Sequence, residues 1–142
     1  MTTFDWEEQI GWVVGELEEY GYGVIQYTDA QDQVDLEGRV VHINSRCHPE
    51  TRFYTLLHEF GHVDIYENAA QDFEADHPMY YRHNAVRTPA SKAARVSIIA
   101  EEIEAWKRGR WLAREYELHI DDAKYDRHMT DALMSYVNWA AC

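Results

Sequence analysis

A chain of 142 residues with 46% hydrophobic residues is long enough for one domain with a real core, and too apolar for a disordered segment. Its 26 acidic and 13 basic residues give a formal net charge of -13, which argues against a nucleic-acid backbone or an anionic membrane as partner. No apolar run reaches membrane-spanning length, no signal peptide is visible, and Cys47 and Cys142 do not suggest a disulfide scaffold. We therefore expect a single domain, residues 1–142, in a reducing cytoplasm.

The N-terminal part of the chain predicts a helix. Apolar residues keep helical spacing from Asp5 to Tyr20, and Thr3 or Asp5 could cap the first turn. Gly21 is the residue type that commonly ends a helix, because it adopts the left-handed conformation without a steric penalty. The first element is therefore an amphipathic helix with one apolar face.

Three short stretches after this helix predict a small sheet. Residues 22–28 are rich in aromatic and β-branched types, which favour a strand. Residues 34–36 and 39–44 predict a hairpin that turns at 37–38. We expect the strand at 39–44 to be an exposed edge that could pair with an extended substrate.

A His-Glu-x-x-His motif follows in a helix predicted from Pro49 to about Glu67. Residues four apart lie one turn above each other, so His58 and His62 can place two imidazoles on one metal. Glu59 lies about 100° around the helix, where it can hold a metal-bound water. The motif therefore predicts a metal site.

The residues around the motif predict how this helix packs. Gly61, between the two histidines, lets another element come close to the metal. One face carries an apolar stripe, and the histidines lie on the far side of it: Phe53, Leu56, Leu57, Phe60 and Val63. Such a helix packs one face on a core and turns the other into a cleft.

The second half of the chain predicts a long loop and two helices. Residues 68–88 show no periodicity, and a loop of this length is usually functional or mobile. Pro89 and Ser91 mark the start of a helix that runs to about Leu118, and a last helix begins at Asp122. We expect the core stripe of the last helix to be Tyr125, Met129, Ala132, Leu133, Tyr136 and Ala140.

A catalytic zinc usually has three protein ligands, so a third ligand is expected from another element. Three glutamates in the helix after the loop are candidates, and helical phase separates them. Glu102 falls at the centre of the apolar face, Glu101 at its edge and Glu104 on the opposite side. A carboxylate in the middle of an apolar stripe needs a partner, and a metal would be one. The phase therefore predicts Glu102 as the third ligand.

Small residues on the same face support this assignment. Ala105 and Gly109 lie one and two turns after Glu102 and permit close packing against the motif helix. His77 and His83 in the long loop are rival ligands, but the loop has no visible framework to hold a ligand rigidly.

The combination of a strand pair, Leu-Leu-His-Glu-Phe-Gly-His and a helix with Glu-Ile-Glu-Ala-Trp resembles the ImmA/IrrE-like zincin metallopeptidases. The resemblance covers residues 34–113. Some members of this family are phage-encoded, and their ligand Glu is typically followed four residues later by an aromatic, here Trp106 after Glu102. The loop at 68–88 is long for the family, and no helix-turn-helix precedes the domain.

The resemblance implies a small zincin-like α+β fold and an activity that cleaves a protein substrate. Its parts are an N-terminal helix, a short antiparallel or mixed three-stranded sheet, the motif helix, the Glu-bearing helix and a C-terminal helix. In the mechanism we expect, zinc activates a bound water and Glu59 acts as general base. Tyr80, Tyr81 or His83 could donate a hydrogen bond to the oxyanion.

Two alternatives to the peptidase stay open at this point. One is a non-catalytic module in which zinc holds the helices together and the acidic loop at 72–76 contacts a protein. The other is a metal-dependent hydrolase of a non-peptide amide. Glu59 favours an enzyme, because a purely structural zinc site does not need it. The sequence leaves the substrate and the oligomeric state open.

Overall fold

The computed structural model describes residues 5–76 and 91–142. This part of the chain forms five helices and a three-stranded mixed sheet, which confirms the predicted α+β class. The helices are α1 (Trp6–Glu19), α2 (Pro49–Asn68), α3 (Ala70–Asp76), α4 (Lys92–Glu115) and α5 (Asp122–Ala141). The strands are β1 (Gly23–Tyr27), β2 (Gln33–Asp35) and β3 (Val40–Asn44). Among the described residues, no helix is both long enough and apolar enough to cross a membrane.

Polar side chains fix where the long helices begin. The Asp5 carboxylate accepts the backbone N–H of Glu7 at 3.0 Å, so Asp5 is confirmed as a cap of α1. Ser91 and Asp121 accept backbone N–H groups in the same way at the starts of α4 and α5. Gly21 follows the end of α1 with a φ of 88°, the left-handed conformation that was predicted to end this helix.

The order of the strands in the sheet is β1-β3-β2, so β3 is central. It pairs parallel with β1 and antiparallel with β2, which confirms the predicted hairpin. The prediction of an exposed edge at 39–44 is wrong, because β1 occupies the side of β3 that a substrate would need. The edges are β1 and β2, and Val41 and Ile43 of β3 point into the core.

The first part of the predicted 68–88 loop is also different in the structure. Ala70–Asp76 forms a short helix, α3, and its Phe73 is buried against Ile65 and Ala105. This helix of seven residues, about two turns, is too short for a periodicity that the sequence could reveal. The rest of the predicted loop lies outside the described residues.

The core lies between α1, the sheet, α2, α4 and α5. The whole predicted stripe of α2 is buried there. Residues from all of these elements contribute to the core, among them Ile10, Val13, Leu17, Val41, Ile43, Phe53, Leu56, Leu57, Phe60, Val63, Leu112 and Tyr125.

Two glycines set the distance between α2 and α4. A Cβ on Gly61 would lie 2.0 Å from the carbonyl oxygen of Ala105, and one on Gly109 would lie 2.5 Å from that of Leu57. The two backbones are therefore in direct contact, as the small residues of both helices predicted. This contact decides which side chains of α4 meet the motif.

Candidate metal centre

Helix α2 presents the two motif histidines from one face. His58 and His62 are four residues apart, and their ring centroids are 4.6 Å from each other. Packing of α2 into the core leaves His62 8% exposed and Glu59 3% exposed. Polar groups this deeply buried require polar partners. For the two histidines, these partners include carboxylates of α4.

Three side-chain atoms from α2 and α4 form a small triangle. Oε2 of Glu102 lies 2.8 Å from Nε2 of His58 and 3.3 Å from Nε2 of His62, and the two Nε2 atoms are 3.0 Å apart. Ligand atoms bound to a tetrahedral zinc at about 2.0–2.2 Å lie roughly 3.3 Å from one another. The triangle is therefore close to the size that zinc requires.

Two further carboxylates contact the other nitrogen of each imidazole. Oε1 of Glu101 lies 2.6 Å from Nδ1 of His62, and Oε1 of Glu59 lies 3.3 Å from Nδ1 of His58. When each Nδ1–H donates to its carboxylate, each Nε2 keeps a lone pair. Those two lone pairs and an oxygen of Glu102 then point at one another. These three electron-rich atoms repel one another unless a cation lies between them, either a proton or a metal ion.

The electrostatics of these five residues, which we call the His–Glu cluster (His58, Glu59, His62, Glu101 and Glu102), favour bound cations. Burial lowers the pKa of His62, but Glu101 and Glu102 raise it well above the ordinary value. The pKa of His58 is likewise raised, because hydrogen bonds to Glu102 and Glu59 outweigh burial. Burial raises the pKa of Glu102, yet hydrogen bonds from both histidines bring it well below its usual range.

An aromatic ring fixes the orientation of His58. The indole of Trp106 stacks on this imidazole with ring centroids 4.4 Å apart and an interplanar angle of 9°. Trp106 follows Glu102 by four residues on α4, so the same helix supplies both the carboxylate that contacts His58 and the ring that stacks on it.

An open cavity of about 280 Å³ borders the His–Glu cluster. Residues from the sheet side, α4 and α5 complete its wall: Asp32, Gln33, Val34, Leu36, Ile98 and Tyr136. Asp32, in the turn before β2, accepts the backbone N–H of Asn44 at 2.7 Å, and burial raises the pKa of its carboxyl. A ligand in this cavity would reach the cluster and the edge strand β2 together.

Tyr136 does not join the core, contrary to its predicted place in the apolar stripe of α5. It lines the cavity instead, on the wall that it shares with Glu102. Burial and this carboxylate raise the pKa of the phenol well above its usual value. Helical phase places Tyr136 correctly on the inner face of α5 but cannot tell a core position from a cavity wall. Its hydroxyl was not a decisive signal, because Tyr125 in the same stripe also carries one and is buried in the core.

The structure places the other candidates in different positions. Glu101, predicted at the edge of the apolar face, is 3% exposed and belongs to the cluster. Glu104 points away and pairs with Arg108 at 3.0 Å, as its phase predicted. The rival ligands His77 and His83 lie outside the described residues, as do the proposed donors Tyr80 and Tyr81. Only two of the three candidate glutamates of α4 therefore face the histidines.

Comparison with known proteins identifies no relative. No protein-family model matches the chain. No curated protein matches it. No solved structure matches it.

Proposed function

We propose that this chain is a zinc-dependent metallopeptidase that cleaves a protein substrate. The observation that carries the proposal is the convergence of Nε2 of His58, Nε2 of His62 and a carboxylate oxygen of Glu102 within 3.3 Å of one another. Two imidazoles and one carboxylate are the ligand set of many catalytic zinc sites, which keep a fourth position open. The cavity beside the triangle supplies room for a substrate.

The proposed chemistry divides between the metal and the chain. Bound zinc would polarise a carbonyl and lower the pKa of water at the site to about 7. Glu59 borders the cavity and is held beside His58, so it can accept a proton from an attacking water. The same carboxyl can then deliver that proton to the leaving amine. Glu101 keeps the ring of His62 in the orientation in which Nε2 faces the cavity.

The sheet offers a binding mode for an extended peptide. β2 is an edge strand, and its residues Gln33 and Val34 line the cavity. Its inner side pairs with β3, while its outer side has no strand partner among residues 5–76 and 91–142. A peptide added as a further strand would therefore pass beside the His–Glu cluster. β2 replaces the strand at 39–44, which the sequence had suggested for this role.

The family and the cellular compartment of the protein belong to the same proposal. The order of the motif helix and the Glu-bearing helix supports membership of the ImmA/IrrE-like zincins. The free thiols of Cys47 and Cys142 support a reducing cytoplasm as the place of action.

Metal analysis combined with a conservative variant tests this function. Elemental analysis of protein prepared without chelator should find about one zinc per chain. Glu59→Gln should keep the zinc and the melting temperature, yet lose at least ~10²-fold in hydrolysis of the proteins or library peptides that the wild type cleaves. Glu37→Gln, an exposed glutamate in the β2–β3 turn, is the matched control and should behave as wild type.

The outcomes separate the peptidase from its alternatives. Absence of stoichiometric zinc would remove the basis of the proposal. Full biological effect of Glu59→Gln, combined with loss of effect in His58→Ala and His62→Ala, would instead favour the non-catalytic zinc-stabilised module. Hydrolysis of small amides without any peptide cleavage would favour the non-peptide hydrolase.

A further inference from the structure

The turn before β2 places one acidic side chain on the wall of the cavity beside the His–Glu cluster. This residue is Asp32, which directly precedes Gln33, the first residue of β2. Its side chain is accessible to solvent, so a ligand that enters the cavity can reach the carboxylate. Among the described residues of the wall, Asp32 is the only acidic one outside the cluster.

One oxygen of the Asp32 carboxylate is held by the backbone, and the other is free. Oδ1 accepts the backbone N–H of Asn44, the last residue of β3, at 2.7 Å. Within residues 5–76 and 91–142, Oδ2 accepts no hydrogen bond, and no lysine or arginine pairs with Asp32. An ionised carboxylate can accept several hydrogen bonds. Oδ2 is therefore available to a donor that a ligand supplies.

The charge of the cavity wall favours a cationic donor. Its described residues include four carboxylates and no lysine or arginine. Against these four negative charges, one bound zinc ion would supply two positive charges, so a formal excess of two negative charges would remain. A cleft lined by one sign of charge attracts groups of the opposite sign. Ammonium and guanidinium groups are the cations that a peptide offers.

The geometry of the edge strand brings such a group to Asp32. Asp32, Val34 and Leu36 follow one another at intervals of two residues, and all three line the cavity. They therefore lie on one side of the extended chain. In a peptide added to the open side of β2, the side chains on this face would lie about 4.5–5.5 Å, between Cβ atoms, from their cross-strand neighbours. Opposite charges in such a pair stabilise the pairing of the two strands.

We infer that Asp32 is a specificity-determining residue of the proposed peptidase: its carboxylate binds a lysine or arginine side chain of the substrate close to the scissile bond. The inference rests on the proposed function and names the class of substrate, an extended segment with a basic residue at one fixed position. Glu59 acts on the peptide bond, whereas Asp32 selects the segment that is presented to it.

A randomised peptide library tests the selection. The peptides are acetylated and amidated at their ends, so that lysine and arginine carry their only positive charges apart from histidine. They are incubated with the zinc-loaded protein, and the cleavage sites are read by mass spectrometry. We expect the wild type to select lysine or arginine at one position relative to the cleaved bond. Two peptides that differ only by lysine or methionine at this position then give a ratio of kcat/KM values.

Asp32→Asn should lower this ratio about 5- to 10-fold, because the amide still accepts the N–H of Asn44 but carries no charge. Asp35→Asn is the matched control. Asp35 lies in β2 and also accepts a backbone N–H, that of Gly38 at 2.8 Å, but it is not among the described residues of the cavity wall. The ratio should therefore be the same in Asp35→Asn as in the wild type.

A binding measurement separates selection from catalysis. The same lysine and methionine peptides, labelled with a fluorophore, are bound to Glu59→Gln, and fluorescence anisotropy gives their affinities. The lysine peptide should bind more tightly, and added salt should reduce the difference because it screens the ion pair. The difference should shrink in Asp32→Asn combined with Glu59→Gln. Asp32→Glu keeps the charge and should retain the preference for lysine, which keeps the inference testable if the asparagine variant folds poorly.

The outcomes keep the inference apart from the proposed function. A wild type that binds no zinc or cleaves no peptide of the library refutes the metallopeptidase and the inference with it. Cleavage without a basic residue at any preferred position, or a preference that Asp32→Asn retains in full, refutes the role of Asp32 and leaves the peptidase standing. Equal losses in Asp32→Asn and Asp35→Asn would also overturn the inference, because they would indicate a general effect on β2.

Discussion

Gly61→Ala is the substitution that most directly perturbs the packing of α2 against α4. The added Cβ would lie 2.0 Å from the carbonyl oxygen of Ala105 and 2.8 Å from its carbonyl carbon. Both are backbone atoms, so no side chain can rotate away. The two helices would have to separate by about 1 Å for the closest contact to reach ~3 Å, which a close-packed interior resists.

The expected change in stability is the difference between two effects. Overpacking of a well-packed interior costs about 1–3 kcal/mol, and a backbone contact belongs at the upper end of this range. Replacement of Gly by Ala inside a helix gains about 1 kcal/mol. We therefore expect a net loss of about 2 kcal/mol, which lowers the melting temperature of a domain of this size by roughly 6–10 °C.

The same separation should weaken zinc binding at the proposed site. Glu102 and both histidines face each other across this helix contact at 2.8–3.3 Å, so a shift of about 1 Å exceeds what a zinc–ligand bond tolerates. Zinc affinity should fall together with stability. Stability is measured by urea unfolding of the chelator-treated protein, monitored by circular dichroism. Zinc affinity is measured by titration against a competing chelator.

Gly11→Ala is the control for helix propensity. Gly11 lies inside α1, and a Cβ there would meet nothing within 4 Å. This variant should gain about 0.5–1 kcal/mol and leave zinc affinity unchanged. Gly61→Ala that is as stable as Gly11→Ala, with zinc affinity equal to wild type, would refute the helix-contact argument.

Three further predictions concern the ligands and their protons. Glu102→Ala should lose zinc, and Glu104→Ala should bind it like wild type. Glu101→Ala should keep zinc with an affinity about 10- to 100-fold lower, because His62 is no longer oriented. Elemental analysis and chelator titration check this, and loss of zinc in Glu104→Ala would contradict it. Because the pKa values of His58 and His62 are raised above 6.5 in the metal-free protein, zinc competes with protons, and its affinity should still increase as the pH rises above 6.5; a plateau at that pH would contradict the prediction. The stability of the metal-free protein should change with pH in the opposite direction. The stabilisation that comes from the raised pKa values of the two histidines is fully present below pH 6.5 and is lost as the pH rises through the raised values. Urea unfolding at several pH values measures this loss.

Local patterns of the sequence determined the motif side of the centre. The i, i+4 spacing puts His58 and His62 on one face of α2 whatever lies opposite, because helix geometry depends only on the local backbone. Helical phase likewise separated Glu102 from Glu104, since the apolar face of α4 had to turn inward. The small residues Gly61 and Gly109 correctly indicated a close approach of the two helices.

Only the tertiary structure decided which distant residues complete the centre. Glu101 lies at a helix-face boundary where phase is ambiguous, and its role depends on the exact rotation of α4 against His62. Tyr136 reaches the cavity beside Glu102 through the register of α5 on α4, which hydrogen bonds from Tyr125 and Arg95 fix. The central position of β3 depends on its pairing with β1, although β2 lies between these two strands in the sequence. No local pattern encodes a pairing between strands that are separated in this way. Contacts between distant segments are set by the packing of the whole domain, and for that reason the cavity wall could not be derived from spacing alone.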